Sequence, residues 1–273
     1  MLKNIRFYSG LVVVLATISI IAYGIYNANQ IKITHYEIQL RDASLNNMEI
    51  VLISDLHLGD VSSERNLESM VQYINNLNPD IVCIAGDILN DDFRLIRNPE
   101  RAISLFRTIN ARYGVFASLG NHDGGRTLNQ MKNFLAESNI KLLNDEYVII
   151  DGRLALFGRL DASPIGGFGE LQRQDISKTI SSVGANMPVI VMDHNPSHIN
   201  EYGREVDLIL AGHTHGGQMF PINLLTRAMF AVDHGHYQRD TYSPHVIVTS
   251  GVSTWRPPIR IGTNNEIVSI LIR

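Results

Sequence analysis

The stretch Val51-Leu52-Ile53-Ser54-Asp55-Leu56-His57 decides how the rest of the chain is read. A short apolar run ends, and two side chains that ligate metals follow with one residue between them. This reads as a buried strand delivering Asp55 and His57 to its C-terminal edge. Spacing of i, i+2 along extended chain sets both side chains on one side. A carboxylate oxygen and an imidazole nitrogen together suit a divalent transition ion. Asp-x-His alone is common by chance, so its weight depends on whether similar strand ends follow.

Four more do. The apolar run at 81–85 leads into Gly86-Asp87, and 115–119 leads into Gly120-Asn121-His122-Asp123. Residues 189–192 lead into Asp193-His194, and 207–211 lead into Gly212-His213-Thr214-His215. Open α/β sheets bind ligands at the carboxyl ends of their strands, so donors delivered to one edge have a structural reason to converge. A lone histidine on an apolar run is more often a core residue, but that reading does not explain the set. Gly86, Gly120 and Gly212 precede ligands at tight strand exits, where unusual backbone angles are expected.

Helical spacing fills the gaps between these strands. Leu67, Met70, Val71, Ile74 and Leu77 predict a helix that Ser62 or Ser63 caps and Pro79-Asp80 stops. Further helices are expected at about 99–110, 127–137 and up to about 182. Asn46-Asn47 reads as a turn, and Asp151-Gly152 predicts a hairpin joining 147–150 to 154–157. An edge strand is expected at 33–40, a long loop after Gln218, and closing strands at 245–250 and 266–272. Strands alternating with helices, then hairpins, give an α/β fold with extra antiparallel strands. Gly166, Gly167 and Gly169 do not form G-x-G-x-x-G at a βα turn, so a dinucleotide fold is rejected.

The chain has 273 residues and a net charge of −4, which does not suggest a nucleic-acid surface. The one cysteine, Cys83, lies within an apolar run and reads as a small buried hydrophobe. Residues 7–31 carry no charge. As a helix, residues 8–26 span roughly 28 Å, close to the thickness of a bilayer's hydrocarbon core. Lys3 and Arg6 precede this stretch and Lys32 follows it. The positive-inside rule then keeps the N-terminus in the cytoplasm and places the remainder outside, in a single-pass arrangement. A cleaved signal peptide is the rival reading, but the apolar region is long for one and no convincing small-x-small site precedes Asn27. The expected organisation is a short cytoplasmic segment (1–7), a transmembrane anchor (8–28), a linker with the first strand (29–45) and a catalytic domain (46–273).

Taken together, Asp55-Leu56-His57, Gly86-Asp87-Ile88-Leu89-Asn90, Gly120-Asn121-His122-Asp123, His194 and Gly212-His213-Thr214-His215 resemble the calcineurin-like metallophosphoesterases. Gly251, Arg260 and Glu266-Ile267 resemble the tail of the family's membrane-anchored bacterial branch. Ser253 departs from a frequent glycine there, and Asn265 from a frequent proline. The resemblance implies a sandwich of two mixed β-sheets flanked by helices. It implies a dinuclear metal centre with Asp55, His57 and His215 on one ion, Asn121, His194 and His213 on the other, and Asp87 between them. Two dications about 3.5–4 Å apart repel, so an anionic bridge belongs there. The donor mix suits Mn²⁺, Fe²⁺/Fe³⁺ or Zn²⁺.

The reaction implied is hydrolysis of a phosphodiester, pyrophosphate or phosphomonoester by a hydroxide bridging the two ions. His122 would face the substrate and either stabilise the phosphoryl group or protonate the leaving oxygen. Asp123 would orient or charge His122, or else serve as a turn residue before Gly124-Gly125. Tethering favours an envelope or lipid-linked substrate. The alternative is a catalytically inactive, membrane-tethered metal-binding or receptor protein, against which the retention of His122 argues. No H-E-x-x-H helix supports a zinc peptidase.

Several other residues have two readings. His234-Gly235-His236 is expected in a surface loop, and His198 on the surface. Asp161 is a candidate for the active-site loop. Arg260 is expected either to contact substrate phosphate or to form a surface salt bridge. The apolar residues 219–232 either rest on the membrane, shape a lipid-tail site, or pack beneath a long loop.

Overall fold

The computed structural model describes residues 2–41, 45, 47–59 and 64–273. The Ser62/Ser63 cap and Asn46 of the expected turn lie outside them. Strand β2 (Glu49–Ile53) alternates strictly between two apolar environments. Ile50 and Leu52 face one cluster, which includes Cys83, Leu156, Ile190, Leu210 and Ile247. Val51 and Ile53 face another, which includes Met70, Ile74, Phe106 and Phe134. A strand covered on both faces must be apolar throughout, which is why its sequence reads as a continuous run.

The first sheet runs β1 (Ile31–Ile38), β12 (Asn265–Ile272), β2, β3 (Ile81–Ala85), β4 (Val115–Ser118) and β5 (Ile140–Leu142). Only the β12–β2 pairing is antiparallel. The second sheet runs β10 (Gly235–Tyr237), β11 (His245–Val248), β9 (Leu208–Ala211), β8 (Val189–Met192), β7 (Leu154–Gly158) and β6 (Glu146–Ile150). It is parallel inside and antiparallel at each edge.

The sheets pack face to face through the cluster around Ile50 and Leu52. Helices α2 (Glu64–Leu77), α3 (Pro99–Phe106) and α4 (Leu128–Glu137) cover the outer face of the first sheet. Helix α5 (Ser177–Gly184) covers part of the second, through Ile180 against Val189 and Val191. This is the two-sheet sandwich flanked by helices that the resemblance implies. The hairpin predicted at Asp151-Gly152 joins β6 to β7, with both turn residues at positive φ.

Helix α1 (Leu2–Ala28) is long and apolar enough to cross a membrane, and its apolar window is not buried by the rest of the chain. Its last turn is held: Gly24, Asn27 and Ala28 are buried. The expected long loop after Gln218 is different. It contains helix α6 (Ile222–Met229) and strand β10, which pairs with β11 and includes Gly235 and His236. His236 stacks on His245 with ring centroids 5.1 Å apart, so Gly235 and His236 belong to a sheet edge, while His234 lies just before the strand.

Candidate metal centre

Strands β2, β3 and β4 of the first sheet and β8 and β9 of the second end at one edge. The chain leaves each of them abruptly. Asp55, His57, Asp87, His213 and His215 all have positive φ, between 44° and 73°. Asp and His tolerate this region better than most residues, and backbone held there tends to mark a functional site. Gly86 shares it at φ +80°, as expected. Gly120 and Gly212 are required for space instead. A Cβ on Gly120 would meet Asp87 Oδ1 at 2.3 Å, and one on Gly212 would meet Asp55 Oδ2 at 2.4 Å.

Two groups of donor atoms form there. Asp55, His57 and His215 make one, and Asp87, His194 and His213 the other, with the donors of each within 4.8 Å of one another. His57 Nε2 lies 3.2 Å from His215 Nε2, and Asp55 Oδ1 lies 3.3 Å from His215 Nε2. His57 Nε2 is also 3.8 Å from Asp87 Oδ2, which sets Asp87 beside both groups. Asn121 joins the second group, with its Oδ1 2.9 Å from His213 Nδ1.

His194 gives the clearest test of fit. Its Nδ1 donates to the Ala85 carbonyl oxygen at 2.7 Å, tying the second sheet to the first. Its Nε2 lies 3.2 Å from Asp87 Oδ2. That Nε2 is buried and has no hydrogen-bond partner among the described residues. A buried imidazole nitrogen held this close to a carboxylate oxygen calls for a positive charge between them, which a proton supplies in the empty site and a metal ion would supply in its place. The residues therefore fit a divalent ion.

The electrostatics agree. Burial, the largest cause in each case, holds His57 and His213 down at about 4, and His215 well below its usual value. Neutral imidazoles keep their lone pairs for coordination. Burial alone would lower His194 too, but the Asp87 carboxylate outweighs it and pushes His194 up. Burial raises Asp55 to about 6. His194, held against Asp87, is the one candidate histidine ligand driven toward its charged form, and a divalent ion would take that proton's place.

The surroundings correct two expectations. His122 Nδ1 donates to Asp91 Oδ1 at 2.6 Å, so Asp91 and not Asp123 pairs with it. The buried Asp123 carboxylate accepts from the backbone N–H of Leu89 and of Gly120, both at 2.8 Å. Arg260 is fully buried, neither at a substrate surface nor in a surface salt bridge. It donates to the carbonyl oxygens of His215, Ser250 and Ser253. It thus holds the turn that carries His215.

Asp161 is buried, accepts from Ser163 N at 2.7 Å, and is raised by its burial. Its Oδ2 is without a partner among the described residues. His198 pairs with Glu201 at 2.8 Å and is not part of the centre. His57 and Trp255 flank His122, with ring centroids 5.2 and 6.1 Å from its own. Sequence reasoning missed Trp255 and Asp91. Only the Asp in Asn90-Asp91-Asp92 offered any signal for the second.

A family model described as calcineurin-like phosphoesterase matches residues 48–217. A metallophosphoesterase of Aquifex aeolicus is 30% identical over 227 residues, 83% of this chain and 85% of the relative. One of Campylobacter jejuni is 28% identical, covering 83% of this chain and 59% of the relative. A zebrafish protein named transmembrane protein with metallophosphoesterase domain is 28% identical, covering 92% of this chain and 60% of the relative. The chain thus spans about three-fifths of the length of the last two.

Proposed function

The chain belongs to the calcineurin-like phosphoesterase family and is a metal-dependent phosphoesterase, and from that premise we propose that it uses two divalent ions to hydrolyse phosphoester bonds outside the cytoplasm. The observation that carries this is the pair of buried donor groups meeting at Asp87, with His194 Nε2 3.2 Å and His57 Nε2 3.8 Å from Asp87 Oδ2. Asp55, His57 and His215 would hold one ion and Asn121, His194 and His213 the other, with Asp87 beside both groups. The chemistry supports Mn²⁺, Fe or Zn²⁺. Such ions supply Lewis acidity, which activates water and neutralises charge on the phosphoryl oxygens.

The protein's own residues do the rest. Asp91 holds the His122 ring with its Nδ1–H fixed, which leaves Nε2 for the leaving oxygen. From Nε2 His122 would deliver a proton to that oxygen. His122 N donates to Asp87 Oδ1 at 2.8 Å, so the loop carrying the acid is set by the bridging residue itself. Gly120 admits this approach because it has no side chain. The buried site keeps bulk water from screening these charges.

Helix α1 serves as a membrane anchor with its N-terminus in the cytoplasm. The basic residue Arg6 near its start, on the flank that also carries Lys3, supports this orientation, which puts residues 29–273 outside with the substrates of the envelope. The test is to load detergent-purified full-length protein with Mn²⁺, count bound metal by mass spectrometry, and offer p-nitrophenyl phosphate and bis-p-nitrophenyl phosphate. Turnover of at least one ester is expected, falling by about 10²-fold or more in His122→Ala at unchanged metal content. Two bound ions with no turnover of either ester would favour an inactive metal-binding or receptor protein instead.

A further inference from the structure

Helix α6 is amphipathic with its faces exchanged. Its polar side is turned inward: Asn223 is buried and Thr226 donates to Asp233 Oδ2 at 2.8 Å. Asn223 lies so close to the turn after His215 that a Cβ on Gly217 would meet its Cα at 2.2 Å. The outward side is apolar. Ile222, Leu224, Leu225 and Met229 are 46%, 53%, 62% and 76% exposed, and Phe220 just before them is 62% exposed. A surface helix normally turns that stripe to the core. A contiguous exposed apolar patch marks a contact with a protein or a membrane.

What lies beside this patch is the end of α1. Arg260 N donates to the Gly24 carbonyl oxygen at 3.0 Å. Asn27 Nδ2 donates to the carbonyl oxygens of Arg260 and Thr263 at 3.2 and 2.7 Å, and Asn265 Nδ2 donates to Ala28 O at 2.6 Å. On its other side the same loop accepts Phe220 N at Ile261 O, 2.8 Å away, and Ile261 bridges to Met219. One short segment thus holds the last turn of the apolar helix and the first residues of α6. A bilayer that takes α1 reaches α6 as well. Lys32 and Arg227, both exposed, place cations at the same level, as interfacial helices do.

The candidate ligands are close to this surface. His215 precedes α6 by one short turn. Phe230, which ends α6, has its ring 6.2 Å from that of His213. Trp255, 47% exposed beside His122, stands on the loop that continues to Ile259 and Arg260. Tryptophan favours the membrane interface.

We propose that α6 lies in the membrane interface with its Ile222, Leu225 and Met229 side in the headgroup–acyl boundary, and that the metal centre opens onto that surface. The substrate is then a phosphoester whose own lipid tail stays in the same bilayer; this second part rests on the phosphoesterase reading above.

The experiment uses the full chain in phosphatidylcholine/phosphatidylglycerol nanodiscs. Bimane is attached at Leu225→Cys, at Met229→Cys and, as a control, at Tyr242→Cys, which is 80% exposed near the start of β11 at the opposite edge of the sheet. Cys83 is buried and stays unlabelled. Lipids carrying a doxyl group near the headgroup should quench 225 and 229 and leave 242 bright. The second arm compares hexadecyl p-nitrophenyl phosphate dissolved in the disc with its methyl analogue in solution. The double variant Leu225→Glu/Met229→Glu should lose about tenfold in kcat/KM on the hexadecyl ester and nothing on the methyl ester. Unquenched labels overturn the proposal, whether the face is bare or covered by a second copy. Equal loss on both esters overturns the lipid-tailed substrate. Quenched labels with neither ester cleaved support the interfacial helix and reject the phosphoesterase reading.

Discussion

At the scale of single residues, chemistry that sits next to its strand in the chain is legible, and chemistry that arrives from elsewhere is not. Asp55, His57, Asp87, His194, His213 and His215 each follow an apolar run, and the structure brings their donor atoms into two groups. The partner of His122 did not follow from adjacency. Asp123 is its neighbour in sequence, but the tight turn aims that carboxylate back at the backbone, while Asp91 reaches His122 from 31 residues away. The two aspartates should therefore fail differently. Asp91→Asn should keep fold and metal content and lower kcat about 10–100-fold, since it removes the group that orients the acid. Asp123→Ala strands two buried N–H groups and should cost about 2–4 kcal/mol of stability. Steady-state kinetics beside urea unfolding separate them; an Asp123→Ala protein as stable as wild type but inactive would restore Asp123 as the orienting residue.

Elements were legible where their apolar side meets the core. The strands facing both clusters and the helices α2 and α4 announce themselves by period. Strand β5 is too short to show one, and α6 shows the wrong one, because its apolar side faces out. Strand β12 shows how a buried charge can be read only from the structure. Glu266 on this strand accepts from Thr34 of β1, from Thr249 and Ser250 after β11, and pairs with His234. Burial alone would raise Glu266, yet these partners, His234 first, bring it down to about 2. The same pairing raises His234, with burial opposing.

The signs follow. A raised histidine stabilises fully below its unfolded value of 6.5 and loses this as pH rises through its folded value. A depressed glutamate stabilises fully above its unfolded value of 4.5 and loses this as pH falls toward about 2. The pair thus acts most between these two unfolded values. Thermal melts of wild type and His234→Gln should differ most near pH 5.5 and converge toward pH 9. A constant gap across that range would mean that the pairing does not contribute through charge.

For the whole molecule, the sequence separates an anchor from a catalytic domain at a linker, and the structure joins them. Residues of α1 were read for their hydropathy alone, and nothing in a pattern of apolar residues reveals that Asn27 turns inward to the carbonyl oxygens of Arg260 and Thr263. Asn265, where a proline is frequent in the branch, supplies the amide that holds Ala28. Strand β1, placed in the linker region, pairs along its full length with β12. The chain of contacts continues inward, because Arg260 grips the carbonyl oxygen of His215 and lies 3.3 Å from its Nδ1.

Removing α1 therefore removes part of what positions a candidate ligand. Three side-chain hydrogen bonds from Asn27 and Asn265, two of them buried, at about 1 kcal/mol each set the scale of the loss. A chain beginning at residue 31 should unfold at lower urea than the full chain in the same detergent, by about 3 kcal/mol. Asn27→Ala in the full chain should show about two-thirds of that loss while α1 remains in place, which separates docking from tethering. If truncation left stability unchanged, the 259–265 loop would hold His215 without help from α1.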